Sequence, residues 1–103
     1  MLVAFENDYL EKLYHQQKVP GKPKYHQSVI DIFIRRIDQF MAADRSNELR
    51  QLKSLHFEPL KGDKQDLYSV RLNRQYRIEF RLSVDQIERV EIVFIEDWSN
   101  HYD

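Results

Sequence analysis

Basic residues are concentrated in one stretch of the chain, between Lys61 and Arg77. Five basic side chains occur there against two acidic ones, whereas acidic residues dominate after Glu88. The five basic residues are Lys61, Lys64, Arg71, Arg74 and Arg77. The net charge of the whole chain is only −1, which argues against broad, non-specific contact with nucleic acid. The local concentration predicts one defined anion site, suited to gripping RNA phosphates.

Apolar residues alternate with polar ones in two neighbouring segments, residues 68–72 and 76–82. This alternation predicts β-strands with one buried face, and the register must keep the apolar side chains together on that face. A two-residue turn would mix the two faces, but a three-residue loop, 73–75, does not. The resulting pairs are Leu72 with Tyr76, Val70 with Ile78, and Tyr68 with Phe80. The sequence therefore predicts an antiparallel pair of strands joined by residues 73–75.

In this register Arg71 lies directly opposite Arg77. Two like charges opposed on a sheet destabilise it by roughly 0.2–1 kcal/mol, so folding alone does not explain the arrangement. A phosphate between the two arginines would turn the repulsion into attraction, because guanidinium groups can fork onto phosphate oxygens. The alternative is that the arginines point into water or pair with Glu79. The register thus predicts an anion site on the outer face of the sheet.

A third strand is predicted over residues 89–95, with its end more buried than its start. Placing Phe80 opposite Ile92 and Leu82 opposite Val90 keeps the apolar side chains on one face. This register sets Arg81 across from Glu91. The sequence therefore predicts a structural ion pair at Arg81 and gives that arginine no part in the site.

The first half of the chain is predicted to be mainly helical. Apolar residues spaced by three and four predict helices over residues 8–17 and 26–43, the first with a capping box of Asp8 and Glu11. Ser46 is expected to cap a short helix that ends at Leu52. The other expected pieces are a strand at residues 3–5, a loop at 18–24, and a loop or short extended piece at 58–63. Together these patterns predict an α+β fold, with helices on one face of a C-terminal antiparallel sheet that the short N-terminal strand could join.

Length and composition predict one domain over residues 1–103. Hydrophobic residues make up 42% of the chain and it has no cysteine, so disulfides, zinc–thiolate sites and thiol catalysis are excluded. The first residues reach the acidic Glu6 without an apolar run long enough for a signal peptide or a membrane span. We therefore expect a cytoplasmic protein with no membrane partner.

Three motifs follow one another in the second half of the chain. Residues 57–64 read Phe-Glu-Pro-Leu-Lys-Gly-Asp-Lys, residues 68–73 read Tyr-Ser-Val-Arg-Leu-Asn, and residues 76–80 read Tyr-Arg-Ile-Glu-Phe. In this order and with these gaps, they resemble the HigB branch of the RelE superfamily of bacterial toxins. The pattern there is roughly Leu-His-Pro-Leu-Lys-Gly, then Trp-Ser-Ile-Arg-Val-Asn, then Trp or Tyr-Arg-Ile-x-Phe. The resemblance covers about the last half of the chain.

The resemblance implies a RelE-like fold and the toxin of a type II toxin–antitoxin pair, which cuts messenger RNA in the ribosomal A site. Such enzymes make the RNA's own 2′-hydroxyl attack the adjacent phosphate. They need a base near that hydroxyl, cations around the phosphorus and an acid at the leaving 5′-oxygen, but no metal and no other cofactor. The implied partners are the ribosome, its messenger RNA and a helix-turn-helix, HigA-like antitoxin, through which alone the toxin would reach DNA.

The resemblance also implies roles for individual residues. Lys61 matches the loop lysine of the family, Arg71 the arginine of its first motif strand and Arg77 that of the second. Glu58 stands where many relatives have a histidine before the proline. A carboxylate can serve as a base, and an acid–base group is worth about 10²–10⁴ in rate. Relatives often end in a polar or histidine-bearing tail, and this chain has His101 in its tail. Glu58 and His101 are the two candidates for the proton carrier.

Further contacts with RNA are expected around these catalytic candidates. Lys64 and Arg74 add positive charge near the predicted site. Trp98 and Tyr102 could stack on a base, an interaction worth roughly 1–3 kcal/mol in proteins that bind single strands, or they could pack on the edge of the sheet.

Two alternative functions remain open for the same fold. ParE-like toxins of this superfamily poison DNA gyrase without cutting RNA, and that activity needs no acid–base pair. The departure at Glu58 favours this alternative, whereas the Lys-Gly-Asp loop at residues 61–63 and the Tyr-Arg-Ile strand at 76–78 count against it. The other alternative is a folded relative that binds RNA without cleaving it.

Overall fold

A computed structural model describes residues 1–19, 21 and 24–100 of the chain. The helices and strands in this part, in chain order, are β1 (Leu2–Phe5), α1 (Asp8–Tyr14), α2 (Gln27–Ala42), α3 (Ser46–Arg50), β2 (Glu58–Pro59), β3 (Tyr68–Arg71), β4 (Tyr76–Val84) and β5 (Glu91–Asn100). Two 3₁₀ turns, Lys53–Leu55 and Gly62–Lys64, precede β2 and β3. The strands form one five-stranded sheet in the order β1-β5-β4-β3-β2. The α+β fold is therefore confirmed.

The helices pack on one face of the sheet, which we call the inner face. Five apolar residues line one side of α2 and are buried, namely Val29, Ile30, Phe33, Ile37 and Phe40. They meet the inward side chains of the strands in one core, among them Ile78, Phe80 and Ile95, each 0% exposed. The long helix therefore forms where its apolar residues recur at helical spacing, as the sequence predicts.

Both shorter helices are capped one residue earlier than predicted, and they end earlier, at Tyr14 instead of residue 17 and at Arg50 instead of Leu52. The cap of α1 is Asn7, one residue before the predicted capping box, and its side chain accepts a hydrogen bond from the backbone N–H of Leu10 (3.1 Å). The cap position of α3 is Arg45, while Ser46 is its first helical residue and donates its backbone N–H to Glu91 (2.7 Å). The sequence thus located both helices but misplaced their caps by one residue.

The predicted register of β3 and β4 is confirmed. Tyr68 lies opposite Phe80, Val70 opposite Ile78 and Arg71 opposite Arg77. The connecting turn is held by Asn73, whose side-chain oxygen accepts hydrogen bonds from the backbone N–H groups of Gln75 (2.9 Å) and Tyr76 (2.8 Å). An asparagine that bonds to the backbone two residues on is a common way to close a turn.

The predicted register of β4 and β5 is wrong by three residues. Phe80 pairs with Ile95 instead of Ile92, and Leu82 pairs with Val93 instead of Val90. The bounds also differ from the prediction, since β4 continues to Val84 instead of Leu82, and β5 spans Glu91–Asn100 instead of residues 89–95. A β-bulge follows Glu79, because Glu79 pairs with Asp97 while Phe80 pairs with Ile95, which leaves Glu96 as the extra residue.

Arg81 consequently has different neighbours from those predicted. Across from it lies Phe94, whose ring centroid is 5.2 Å from the guanidinium carbon. Its ion pairs are with Glu96, at the bulge, and with Glu6 (3.8 Å). The predicted partner Glu91 instead accepts a hydrogen bond from Ser46. Arg81 is therefore ion-paired, but not with Glu91.

The N-terminal strand joins the sheet, and it makes the sheet mixed rather than purely antiparallel. β1 runs parallel to β5, with Val3 opposite Val93 and Phe5 opposite Ile95. The remaining neighbours pair antiparallel. Across the described ranges, no helix has both the length and the apolar character that crossing a membrane requires.

Candidate functional site

The candidate site lies on the outer face of the sheet, opposite the helices. Because side chains alternate along a strand, the burial of Val70 and Ile78 in the core directs their neighbours outward. Ser69 and Arg71 on β3 therefore share this outer face with Arg77 and Glu79 on β4. The adjoining strands extend the face. β2 places Glu58 opposite Ser69, and β5 places Ser99 opposite Arg77 and Asp97 opposite Glu79.

A buried carboxylate lies at the centre of this face. Glu79 is only 2% exposed, and both its oxygens accept hydrogen bonds from Lys64 Nζ, at 3.1 and 3.0 Å. Its Oε2 also accepts a hydrogen bond from the hydroxyl of Ser99 (2.6 Å) and lies 3.7 Å from Nη2 of Arg77. A carboxylate removed from water is destabilising unless cations and donors surround it. Glu79 has both.

Arg77 is held at the edge of the same cluster. Its Nε donates a hydrogen bond to Ser99 Oγ (3.3 Å), and its side chain stays 22% exposed. The predicted alternative in which an arginine pairs with Glu79 therefore holds for Arg77. The guanidinium is at once anchored by Glu79 and Ser99 and open to solvent, where an anion can reach it.

Arg71 faces Arg77 across the strand pair, as the register predicts. Its backbone carbonyl accepts a hydrogen bond from Nε of Arg36 on α2 (3.2 Å), and Arg36 also donates to Gln39 (3.0 Å). Burial, with a smaller effect of the neighbouring Arg35, lowers the pKa of Arg36. The helical pattern of residues 26–43 gives no sign of this contact, so the support of β3 by Arg36 was not predicted.

The basic loop borders the face on the β2 side. Lys61 is exposed and occupies the cap position of the turn Gly62–Lys64, in which Gly62 adopts φ 72°. A positive φ of this size suits glycine because it has no Cβ. Glu58, in β2, is likewise exposed. Lys61 and Glu58 are therefore accessible at the border of the face, while Lys64 reaches into its centre.

Arg74 is the predicted RNA contact that lies farthest along the turn from this cluster among the described residues. Arg74 is exposed, and it lies in the turn that connects the end of β3 to the start of β4. His101 and Tyr102 lie outside the described residues, so their predicted roles stay predictions.

The structure does not support the expected contact between Trp98 and an RNA base, because Trp98 is buried. Its side chain is 5% exposed and belongs to the core, opposite Ile78. Its ring stacks on Tyr25, with centroids 3.7 Å apart and planes 9° apart. Burial, followed by the influence of Asp97, raises the pKa of Tyr25 to about 12. The face that a base would need is taken by Tyr25, so Trp98 is assigned to packing.

The outer face thus combines cations with a buried carboxylate, Glu79, at its centre. Arg71, Arg77 and Lys64 supply positive charge, Glu79 orients two of them, and Glu58 and Lys61 lie at the border. Such a surface can hold the oxygens of one phosphate, since charge-assisted hydrogen bonds from arginine and lysine are short and strong. The sequence identified Arg71 and Arg77 through the register, but not the burial of Glu79 or the part played by Ser99.

The fold is that of the RelE-like class of bacterial toxins. A YoeB/ParE toxin from Agrobacterium tumefaciens superimposes with a TM-score of 0.61, covering 99% of this chain and 100% of its own, at 17% identity. A YoeB–YefM complex from Staphylococcus aureus gives a TM-score of 0.51, covering 99% of each chain, at 20% identity.

The sequence narrows this class to one family. The sequence-family model that describes the HigB-like toxins matches residues 3–93 of this chain. This family consists of RelE-like toxins of type II toxin–antitoxin systems. The chain therefore belongs to the HigB-like toxins, and the resemblance seen in its motifs is confirmed. An uncharacterized protein from Haemophilus influenzae is 27% identical over 86 residues, which is 84% of this chain and 83% of that protein.

Proposed function

We propose that this toxin inhibits translation by cutting messenger RNA on the ribosome. The observation that carries the proposal is the pair of arginines, Arg71 opposite Arg77, on an outer face where Glu79 also holds Lys64. A phosphate has the charge and the oxygens to bind such a group of cations. The membership of the HigB-like toxins supports RNA as the source of that phosphate.

In the proposed reaction the 2′-oxygen attacks the adjacent phosphorus, and the bond from phosphorus to the 5′-oxygen breaks. The products are a 2′,3′-cyclic phosphate and a free 5′-hydroxyl. The 2′-hydroxyl proton goes to a base, and the leaving 5′-oxygen receives a proton from an acid. Arg71 and Arg77, with Lys61 from the loop, would stabilise the charge that grows on the phosphate oxygens, usually the largest contribution to such catalysis. Glu58 and His101 are the candidates for carrying the protons.

The proposed partners follow from the same family. The YoeB toxin of Staphylococcus aureus is seen in complex with YefM, which supports an antitoxin partner for this chain as well. We propose that this antitoxin is of the helix-turn-helix, HigA-like kind and provides the only route to DNA. The ribosome and its messenger RNA are the proposed targets, and the cytoplasm is the proposed place of action.

Expression of the toxin alone in a bacterium is the direct test of this function. We expect growth arrest in which protein synthesis fails first and messages are cut, while DNA synthesis continues for longer. Pulse labelling of protein and DNA, with primer extension to map cuts in messages, measures this order. If DNA synthesis stops first, with intact messages and a DNA-damage response, the toxin poisons gyrase in the manner of ParE. Arrest of neither kind would favour an inactive relative that only binds RNA.

A second prediction concerns the salt dependence of RNA binding. Replacing Arg71 by glutamine removes one contact to phosphate, so the affinity for a non-cleavable single-stranded RNA should fall. The slope of log affinity against log salt should become shallower by about 0.7, the value for one phosphate on a single strand. Fluorescence anisotropy across a salt series measures both quantities.

Arg89→Gln is the matched control for Arg71→Gln. Arg89 is exposed in the turn between β4 and β5, and its replacement changes the net charge by the same amount at the far end of the strands. Its salt slope should stay at the wild-type value. Equal slopes for Arg71→Gln and the wild type would remove Arg71 from the phosphate site.

A further inference from the structure

Glu79 is an unexpected residue at the centre of a surface that must attract a polyanion. Its carboxylate is 2% exposed, and its oxygens accept hydrogen bonds from Lys64 and Ser99. Because Glu79 is buried and already accepts these hydrogen bonds, we do not add it to Glu58 and His101 as a candidate for the base. Its role must instead be exerted through the residues that it touches.

Those residues come from three separate parts of the chain. Lys64 belongs to the turn Gly62–Lys64, Arg77 to the same strand as Glu79, and Ser99 to β5. All three meet Oε2 of Glu79, at 3.0 Å from Lys64 Nζ, 3.7 Å from Arg77 Nη2 and 2.6 Å from Ser99 Oγ. One carboxylate oxygen therefore ties the basic loop and two strands together.

We propose that Glu79 is a positioning residue that holds Lys64 and Arg77 as a preformed pair of cations for one RNA phosphate. The inference rests on the proposed function for the identity of the phosphate. Because both cationic nitrogens approach the same oxygen, they cannot lie farther apart than those two distances combined. One negative charge facing two positive ones leaves the group net positive, and Arg71 adds to it. A phosphate then meets cations already in place, which favours reaction by removing the entropy of assembling them.

The two arms of this arrangement have different consequences. On one side, Lys64 fastens the turn that carries Lys61 to the sheet, through bonds to both oxygens of Glu79. On the other side, Ser99 donates its hydroxyl hydrogen to Glu79 and accepts one from Nε of Arg77. The serine hydroxyl thereby fixes the orientation of the guanidinium. Each arm can be cut separately by mutation.

Glu79→Gln tests the whole arrangement, because glutamine keeps the shape and removes the charge. We expect the backbone amides of Lys64 and Leu67, which bond within the loop, to exchange hydrogen at least tenfold faster, since local opening sets this rate. Binding of a non-cleavable single-stranded RNA should weaken about tenfold. For ribosome-dependent cleavage measured at steady state, kcat should fall by a larger factor than KM rises.

Glu96→Gln is the matched control. Like Glu79, Glu96 is a carboxylate that binds an arginine, in this case Arg81, but it lies on β5 at the bulge and outside the cluster. In Glu96→Gln, the hydrogen exchange of the loop amides, the affinity for RNA and the rate of cleavage should match those of the wild type. Ser99→Ala separates the two arms, because it should reduce RNA binding and cleavage while loop exchange stays at the wild-type rate. In a protein that already carries Glu79→Gln, Ser99→Ala should reduce RNA binding and cleavage by a smaller factor than it does in the wild type. The two effects are not additive because both changes act on one cluster.

The outcomes distinguish this inference from the proposed function. If loop exchange accelerates in Glu79→Gln but RNA binding and cleavage stay within twofold of the wild type, Glu79 only fastens the loop and the inference is wrong. If Lys64→Met weakens RNA binding while Glu79→Gln and Ser99→Ala do not, Lys64 acts without Glu79 and the inference is again wrong. If the wild type neither binds nor cuts RNA, the proposed function fails, and unchanged loop exchange in Glu79→Gln would then refute the positioning role by itself. Should Glu79→Gln fail to fold, Ser99→Ala provides the same test through Arg77.

Discussion

Replacing Arg77 by alanine is expected to lower the rate of RNA cleavage by about 10²–10³-fold, the usual effect of removing one group that stabilises the charge of a transition state. The protein should remain folded, because the side chain lies on the outer face and its removal opens no cavity in the core. Glu79 would keep its bonds from Lys64 and Ser99 in the variant. Ribosome-dependent cleavage of a defined message, with thermal unfolding of the same samples, measures both effects.

Arg81→Ala is the control that the chain itself offers. Arg81 is an arginine on the same strand and face as Arg77, but it pairs with Glu96 and Glu6 away from the cluster. Its loss should leave cleavage unchanged. Arg77→Lys keeps the positive charge but loses the planar fork of hydrogen-bond donors. Its cleavage rate should therefore lie between the rates of the wild type and Arg77→Ala. A well-expressed Arg77→Ala protein that cuts RNA at the rate of Arg81→Ala would falsify the proposed site.

The pairing of β3 with β4 was predictable because its determinants are local. Alternating apolar residues must face the core, and only one short loop length allows this for both strands. Asn73 then closes that loop with its own side chain. The opposition of Arg71 and Arg77 follows from these two conditions, without any information from distant parts of the chain.

The pairing of β4 with β5 was not predictable by the same rule because residues 92–95, Ile-Val-Phe-Ile, are all apolar, so alternation does not show which side of β5 faces the core. A bulge adds one residue to one strand and shifts the alternation beyond it. The bulge between Glu79 and Phe80 changes the burial of β5, whose buried residues are Val93, Ile95 and then Trp98, with a spacing of three instead of two at the end. The turn also differs from the expected one, since the Asp85 side chain accepts hydrogen bonds from the N–H groups of Ile87 (2.9 Å) and Glu88 (2.8 Å).

The centre of the candidate site depends on contacts that no local pattern reveals. Lys64 and Glu79 lie fifteen residues apart, and they meet only when the turn before β3 folds back over the sheet. Ser99 reaches them because the bulge sets the phase of β5. Sequence reasoning could name Glu79 as a possible partner of an arginine, but its burial and its shared oxygen required the three-dimensional arrangement.

Trp98→Ala is expected to have the largest effect on stability among the changes considered. Truncating a buried tryptophan costs about 3–5 kcal/mol, through lost burial and the cavity that remains. Trp98 is 5% exposed and contacts the rings of Tyr25, Phe33 and Tyr76, at centroid distances of 3.7, 5.3 and 5.7 Å. Urea unfolding followed by circular dichroism gives the free energy of unfolding without relying on the tryptophan itself.

Trp98→Phe separates packing from any contact with a base. Phenylalanine keeps an aromatic ring against Tyr25, and it removes an indole Nε1 that is buried without a hydrogen-bond partner among the described residues, a group that is costly to leave unpaired. The variant should therefore lose much less stability than Trp98→Ala and bind RNA as the wild type does. The chain has one tryptophan and six tyrosines, so fluorescence excited selectively at tryptophan reports on Trp98 alone in the wild type, and RNA should leave this emission unchanged. Quenching by RNA, together with weaker RNA binding by a fully folded Trp98→Phe protein, would return Trp98 to the RNA-binding surface and contradict its assignment to the core.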